Sequence, residues 1–491
     1  MTGSDRFDVA IVGAGAAGCV LARRLADAGK AIVVLEAGPD LRAATTPAMR
    51  DGWNLPQIPD WGFESQSTAG DAPKKLRRGR LLGGTSWLTR FAVRGAAVDF
   101  DGWAARGNVG WTFEDVLPVF RRIESDAEFG DRPWHGNAGP LPITRYPHLP
   151  VTAVHAAAVT ALEGMGFPLV DDHNAPDAVG LGRMPFSAVD GVRVTTADVF
   201  LPMDRPNLEI RCDAPVARVM IGDDRAIGVR LVDGSEVRAD RVVLAAGTYG
   251  SPPLLLRSGI GPPGDLRALG IPVVVDLPGV GENLADHPAV AIDSGWRGAG
   301  VEGPVLHSIA TFRSSIAEPS DAPDLMFWIA DPVGDEPTFE LEAVLMKPQC
   351  RGSVRLRSAD PTDPPRITLP VLDDERDVDR LVEGYRLLTD LAARPEIRRL
   401  VKTPAPTLPP AEDLHRAVID ESYSVPHVVG TCRMGPPSDD AAVVDHLGRV
   451  RGLDGLSVID ASIIPEPTAG FPHIVTIMLA DRLGEILAGQ D

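Results

Sequence analysis

Residues Phe7 to Glu36, FDVAIVGAGAAGCVLARRLADAGKAIVVLE, restrict this chain more than any other stretch. Phe7–Val12 is a short apolar run rich in β-branched residues, and it predicts a buried strand. Gly13-x-Gly15-x-x-Gly18 follows without a gap. Cys19–Ala28 then has helical periodicity, with Val20, Leu21 and Leu25 on one face and Arg23, Arg24 and Asp27 on another. Gly29 ends that helix, Ala31–Leu35 predicts a second buried strand, and Glu36 stands at its carboxyl end. Gly13 permits a tight turn, Gly15 lets backbone approach a pyrophosphate, and Gly18 lets the helix lie close on the strand. Unbonded N–H groups at the helix start, around Ala16 and Ala17, face negative phosphates. Glu36 can accept hydrogen bonds from a ribose, and its charge would repel a 2′-phosphate. Strand, glycines, helix, strand and acid in this order predict a dinucleotide-binding unit.

At 491 residues the chain exceeds what one hydrophobic core holds, so two or more domains are expected. The net charge of −20 disfavours nucleic acid and anionic membrane surfaces as partners. No uninterrupted apolar run reaches spanning length, so membrane insertion is not expected. The first strand begins within ten residues of Met1 with no basic segment before it, unlike a signal peptide. Cys19, Cys212, Cys350 and Cys432 are scattered without a CxxC pair. That suits a cytoplasmic protein and predicts no structural zinc, iron–sulfur cluster or other metal site.

Further along, Arg77-Arg78-Gly79-Arg80 leads into Gly83-Gly84-Thr85-Ser86. Paired glycines with two hydroxyls can form a backbone nest for an anion or the edge of a ring, and they also fit a plain turn. Trp111–Glu124 predicts an amphipathic surface helix interrupted by Pro118, and His135 reads as a loop histidine. Val151–Gly166 predicts a helix; Asn207–Val219, Ala226–Val232 and Arg241–Ala246 predict strands. Leu277–His287, LPGVGENLADH, reads as a loop. Ala289–Val425 is less patterned, but Gly352–Arg357 alternates as an antiparallel sheet would. A helix over Asp377–Arg394 follows a solvated charge run. The expected organisation is a nucleotide domain assembled from 1–150, 206–288 and 426–491, with 151–205 and 289–425 forming a second unit.

Two histidines close the chain. His427 lies in PHVVGTCRMG and His473 in GFPHIVT. Each interrupts an apolar segment shaped by glycine and proline, where a buried imidazole needs a polar partner. Imidazole also titrates where proton transfer near neutrality requires it. Residue pattern alone leaves structural and catalytic roles open.

The segments VGAGAAG…LEAG, GRLLGGTS, WHGNAGPLPI, RPNLEI, AAGTYGSPPLLLRSGIGP, LPGVGENLADH, HVVGTCRMG and LSVIDASIIPEP…HIVTIMLADRLGE occur in one order along nearly the whole chain. Together they resemble the glucose–methanol–choline (GMC) oxidoreductases. The resemblance implies an α/β fold with a Rossmann-like FAD-binding domain and an inserted antiparallel-sheet substrate domain. It also implies FAD rather than NAD. Gly13, Gly15, Ala16, Ala17 and Gly18 would hold the pyrophosphate, Glu36 and Ala37 the adenosine ribose, and Val216 the adenine through its backbone. Gly83, Gly84, Thr85 and Thr89 would meet the flavin. Asp460 and Ala461 would approach the ribityl and pyrophosphate region, with Ala246, His473 and Ile474 completing the contacts.

The same resemblance implies oxidation of a small-molecule alcohol. His427 matches the family's active-site histidine and would take the hydroxyl proton while hydride leaves for flavin N5. His473 matches a second position, histidine or asparagine among relatives, and would hold the same oxygen. The electron acceptor, oxygen or another, is left open. Some relatives are non-redox lyases of the hydroxynitrile type, which is the alternative. Two departures stand out: Thr89 replaces a common asparagine, and the stretch from Gly83-Gly84 to Arg94-Gly95 is one residue shorter than usual. No histidine lies within it, so FAD is expected to be bound non-covalently.

Overall fold

The computed structural model of the chain describes residues 6–66, 73–201, 204–298, 303–332, 338–370, 372–403 and 407–489. Two large sheets organise it. In the first, strands Leu208–Arg211, Ile32–Leu35, Arg6–Val12 and Glu236–Leu244 lie side by side in parallel. Leu456–Val458 extends the parallel set beside Val242–Leu244, and the hairpin of Val216–Gly222 with Arg225–Leu231 completes the far side. Ile32–Leu35 is buried throughout, which explains why it reads as an unbroken apolar run. Helices Ala16–Asp27 and Pro472–Ala488 pack against one another, tied by Arg24 to Asp481 at 2.5 Å. The ends of the chain therefore build one layer.

The second sheet is antiparallel throughout, in the order Tyr423–Val429, Ala285–Gly295, Thr338–Leu345, Leu325–Ala330, Leu306–Phe312 and Gly180–Arg183. Alternation divides its faces. Val290, Ile292, Phe327, Leu341 and Ala343 form a core with helix Glu375–Ala392. Ala289, Met326, Trp328 and Val344 join Val425 and Phe471 in a separate cluster on the other face. Residues 288 and 425, marked as boundaries by composition, lie inside strands of this sheet.

Several expectations are corrected. Asn207–Val219 is not one strand: it breaks at Cys212–Pro215, where Asp213 takes a φ of +53° and Pro215 follows. The pieces lie at opposite edges of the first sheet. Helix Phe113–Ile123 runs through Pro118, because Thr112 and Asp115 cap it reciprocally and Val116, Val119, Phe120 and Ile123 are buried. Leu277–His287 is irregular only as far as Leu284; Ala285, Asp286 and His287 open the long strand Ala285–Gly295. His135 is fully buried, with Nδ1 2.7 Å from Glu124 and Nε2 2.8 Å from Asp172. Burial opposes its charge, but those two carboxylates outweigh it and raise its pKa. Glu124, Asp126 and His135 are close enough to hold a metal, yet Arg94 and Arg145 already supply the positive charge.

On the second sheet, Glu342 is 8% exposed and accepts the Tyr423 hydroxyl at 2.6 Å. Burial, and then the neighbouring Glu340, push its pKa up to about 8. A carboxyl raised in the folded state keeps a proton that the unfolded chain has already released, so its cost grows as pH rises. Glu342→Gln is therefore expected to raise the Tm by about 1–3 °C near pH 8.5, with much less change near pH 5. A pH series of thermal melts measures it.

Candidate active site

The glycine turn sits at the carboxyl ends of the parallel strands, where open α/β sheets bind ligands. Gly13 has a φ of +98°, and a Cβ there would lie 2.6 Å from the Ala245 carbonyl oxygen. A Cβ on Gly18 would lie 1.9 Å from the Gly13 oxygen, whereas one on Gly15 would meet nothing within 4 Å. Helix Ala16–Asp27 has no side-chain cap and no acid in its first turn. Its first intrahelical bond runs from the Cys19 N–H to the Gly15 oxygen at 3.1 Å. An uncapped helix start beside an open glycine is a cradle for an anion, and it fits a pyrophosphate.

The second glycine pair closes on the first. Gly83 donates its N–H to the Ala14 oxygen at 2.8 Å. Gly83 and Gly84 have φ of +94° and +53°, and a Cβ on Gly84 would reach 2.8 Å from Gly15 Cα. Thr85 continues into a short 3₁₀ turn, and Thr89 donates its N–H to the Thr85 oxygen at 3.2 Å. Glu36 is buried, accepting the N–H of Ala14 and of Gly38 at 2.9 Å each. Burial lifts its pKa to about 7 against those bonds and a backbone bond from Ala37. The acid thus braces the glycine turn from the end of the second strand.

Other sequence-selected residues converge on the same edge. Ala246 follows the strand Glu236–Leu244 and donates its N–H to Ser251 Oγ at 3.2 Å. Asp460 accepts the Gly247 N–H at 2.8 Å and the Ser251 hydroxyl at 2.6 Å, and burial raises its pKa. The Ala461 oxygen accepts the Gly430 N–H at 3.3 Å, joining this edge to the segment that carries His427. Ala214, two residues before Val216, donates to the Glu36 oxygen at 2.8 Å, so the chain crosses the cradle before its next strand. Ile474 is buried in the first turn of Pro472–Ala488.

His427 lies on the strand Tyr423–Val429 and His473 is the second residue of the helix Pro472–Ala488. Phe471, two residues before His473, has its ring centroid 4.9 Å from that of His427. Phe471, Trp328 and Phe91 form an aromatic wall with centroids 5.5–6.2 Å apart, and Trp328 stands 6.0 Å from His427. His427 is half-buried. Burial, then His287 and Arg78, hold its pKa well below the ordinary imidazole range. Burial alone pushes His473 down to about 4. Both rings are neutral near pH 7.

Sequence reading missed the supports of His427. Asp286 accepts the backbone N–H of His427 and of His287 at 2.8 Å each, and the Ser424 hydroxyl as well. The His287 and His427 Nδ1 atoms are 3.1 Å apart. Arg78 donates to the Pro426 oxygen at 3.1 Å and lies 4.9 Å over the Tyr249 ring. Asp286 and His287 belong to the LADH text, whose glycine-rich beginning conceals the strand that follows.

Comparison with known proteins decides the family. A GMC oxidoreductase model for the amino-terminal part matches residues 7–289, and one for the carboxyl-terminal part matches 348–480. The chain belongs to the GMC oxidoreductases. This GMC oxidoreductase is 35% identical to 5-(hydroxymethyl)furfural oxidase of Methylovorus sp., over 99% of each chain. It is 33% identical to an oxygen-dependent choline dehydrogenase of Pseudomonas putida, covering 99% of this chain and 95% of that one. Among solved structures it resembles pyridoxine 4-oxidase from Mesorbium loti, at 30% identity and a TM-score of 0.90 over 99% of each chain. GMC oxidoreductases bind FAD, and the two sheets are the Rossmann-like and substrate-side layers of that fold. It is an FAD-dependent enzyme of the alcohol-oxidising kind. Among the described residues, no helix is long and apolar enough to cross a membrane.

Proposed function

We propose that this GMC oxidoreductase oxidises an alcohol CH–OH group to the carbonyl, with His427 taking the hydroxyl proton and His473 holding the same oxygen. Non-covalent FAD supplies the hydride acceptor at flavin N5. One observation carries the reading: the His427 ring packs against Phe471 and Trp328 with its Nδ1 3.1 Å from that of His287, so Nε2 is the nitrogen left for a substrate. Asp286 fixes its backbone, so the base is presented without being ionised by a carboxylate at its ring. His473, in the first turn of the helix Pro472–Ala488, adds a donor near a positive helix end where the oxygen becomes anionic. Phe91, Trp328 and Phe471 wall the site against water and suit a planar substrate. The stretch 83–95 offers no histidine for a covalent link.

Anaerobic mixing with primary, aromatic and sugar alcohols tests this. Aromatic alcohols are expected to bleach the flavin fastest, admission of air or a dye to restore its colour, and acid precipitation to leave all flavin in the supernatant. Cleavage of a hydroxynitrile with no bleaching by any alcohol would instead favour the lyase reading.

A further inference from the structure

Strand pairing sets His287 opposite Val425 and brings the His287 and His427 Nδ1 atoms to 3.1 Å. A contact of that length between two imidazole nitrogens holds one proton, with one nitrogen donating and the other accepting. Burial leads the causes that push His287 down to about 3, and it also lowers His427, so neither ring is charged near neutrality. The direction of the bond follows from the other nitrogen of His287. Its Nε2 is enclosed and has no hydrogen-bond partner, while backbone groups of Met346 and Thr468 near the ring favour a proton on it. His427 occupies Nδ1, so the hydrogen those groups favour falls to Nε2 and Nδ1 is bare.

We propose that His287 is a positioning residue that accepts the Nδ1–H of His427, holding it in the tautomer whose Nε2 is unprotonated and turned to the alcohol. The proposal rests on His427 being the proton acceptor, as argued above. When His427 takes the hydroxyl proton on Nε2, its Nδ1–H bond to His287 persists and steadies the imidazolium; the proton leaves again by the same nitrogen. Asp286 holds the N–H of both residues, which keeps the rings in register. A neutral acceptor matters here because the surroundings are already charged. Arg78 faces His427 and Asp286, and Lys347 faces His287 while paired with Asp99 at 2.7 Å. His287 orients the base without making it strongly basic, so the proton is not retained after turnover.

The test compares His287→Phe, His287→Gln, His427→Ala and the His427→Ala/His287→Phe double variant, all as holoenzyme. In His287→Phe, anaerobic flavin reduction is expected to slow about 10- to 100-fold, with the acid limb of its pH profile displaced because His427 has lost the partner of its Nδ1. The amide oxygen of His287→Gln can accept the same bond and should recover most of the rate and the original limb. The double variant should be no slower than His427→Ala. Spectra of the ¹⁵N-histidine-labelled wild-type holoenzyme should show His427 as the Nδ1–H tautomer and His287 as the Nε2–H tautomer, a reading independent of turnover. An unchanged rate and limb in His287→Phe, full additivity in the double variant, or the opposite tautomers would each overturn the proposal. Should His287→Phe fail to fold, His287→Gln and the wild-type tautomers decide. His427→Ala reducing flavin at the wild-type rate would instead sink the base assignment itself.

Discussion

His427→Ala is expected to slow anaerobic flavin reduction by about 10²-fold or more, while the purified protein keeps its yellow colour. The argument is local. The backbone at position 427 is held by the Asp286 carboxylate and by pairing of its strand with Ala285–Gly295, and neither contact uses the imidazole. The proposed cofactor cradle belongs to the other sheet, with residues 13–18, 36, 83–84 and 460. Removing the ring therefore deletes the proton acceptor and leaves the cradle alone. Water admitted to the space the ring leaves can accept the proton poorly, which sets a floor to the loss. The acid limb of the pH profile should vanish with the imidazole. Stopped-flow reduction across pH measures both, and an unaltered rate would remove His427 from the mechanism.

Gly18→Ala is expected to abolish retention of FAD on purification and to lower the Tm of the apoprotein. Its Cβ would fall 1.9 Å from the Gly13 oxygen, a backbone atom in a turn already pinned by Ala245, Glu36 and Gly83. No flexible side chain can yield, so helix and turn must part, at a cost of about 1–3 kcal/mol before any ligand is considered. Gly15→Ala makes the control. Its φ of −79° suits alanine and its open side meets no protein atom, so apoprotein stability should be unaltered. A methyl group there would intrude where a phosphate approaches, and FAD affinity should fall about 10-fold or more. Equal effects on apoprotein melting in the two variants would refute this account of the turn.

Both expectations rest on a nucleotide turn that thirty consecutive residues announced. Gly13 and Gly18 could be assigned physical tasks before any coordinates, because each task concerns atoms a few positions away along the chain; Glu36 was expected at a ribose, and its bond to Ala14, 22 positions away, was not legible. The structure supplies the distances: a Cβ on Gly18 would be blocked by Gly13, and Glu36 bonds the N–H of Ala14. The buried parallel strands were equally legible, since a run apolar on both faces has few other places to go. Less local features were misread. Pro118 looked like an interruption, yet capping by Thr112 and burial of one helix face override it. Asn207–Val219 looked continuous, because the crossing at Cys212–Pro215 is governed by what it crosses.

The reaction side of the site shows where reading along the chain ends. His427 and His473 could be singled out as residues, but not the groups that hold them. Asp286 and His287 lie 140 positions before Ser424–His427 and reach them only through the register of two antiparallel strands. Register is decided by which faces become buried and how intervening loops close, and a slip of one residue would turn every side chain to the other face. Sequence alone thus determined the cofactor-binding unit, whose geometry is encoded within a few turns of backbone. Only the tertiary structure decided which imidazole, carboxylate and aromatic rings meet at His427, because those meetings depend on packing between segments that carry no local record of one another.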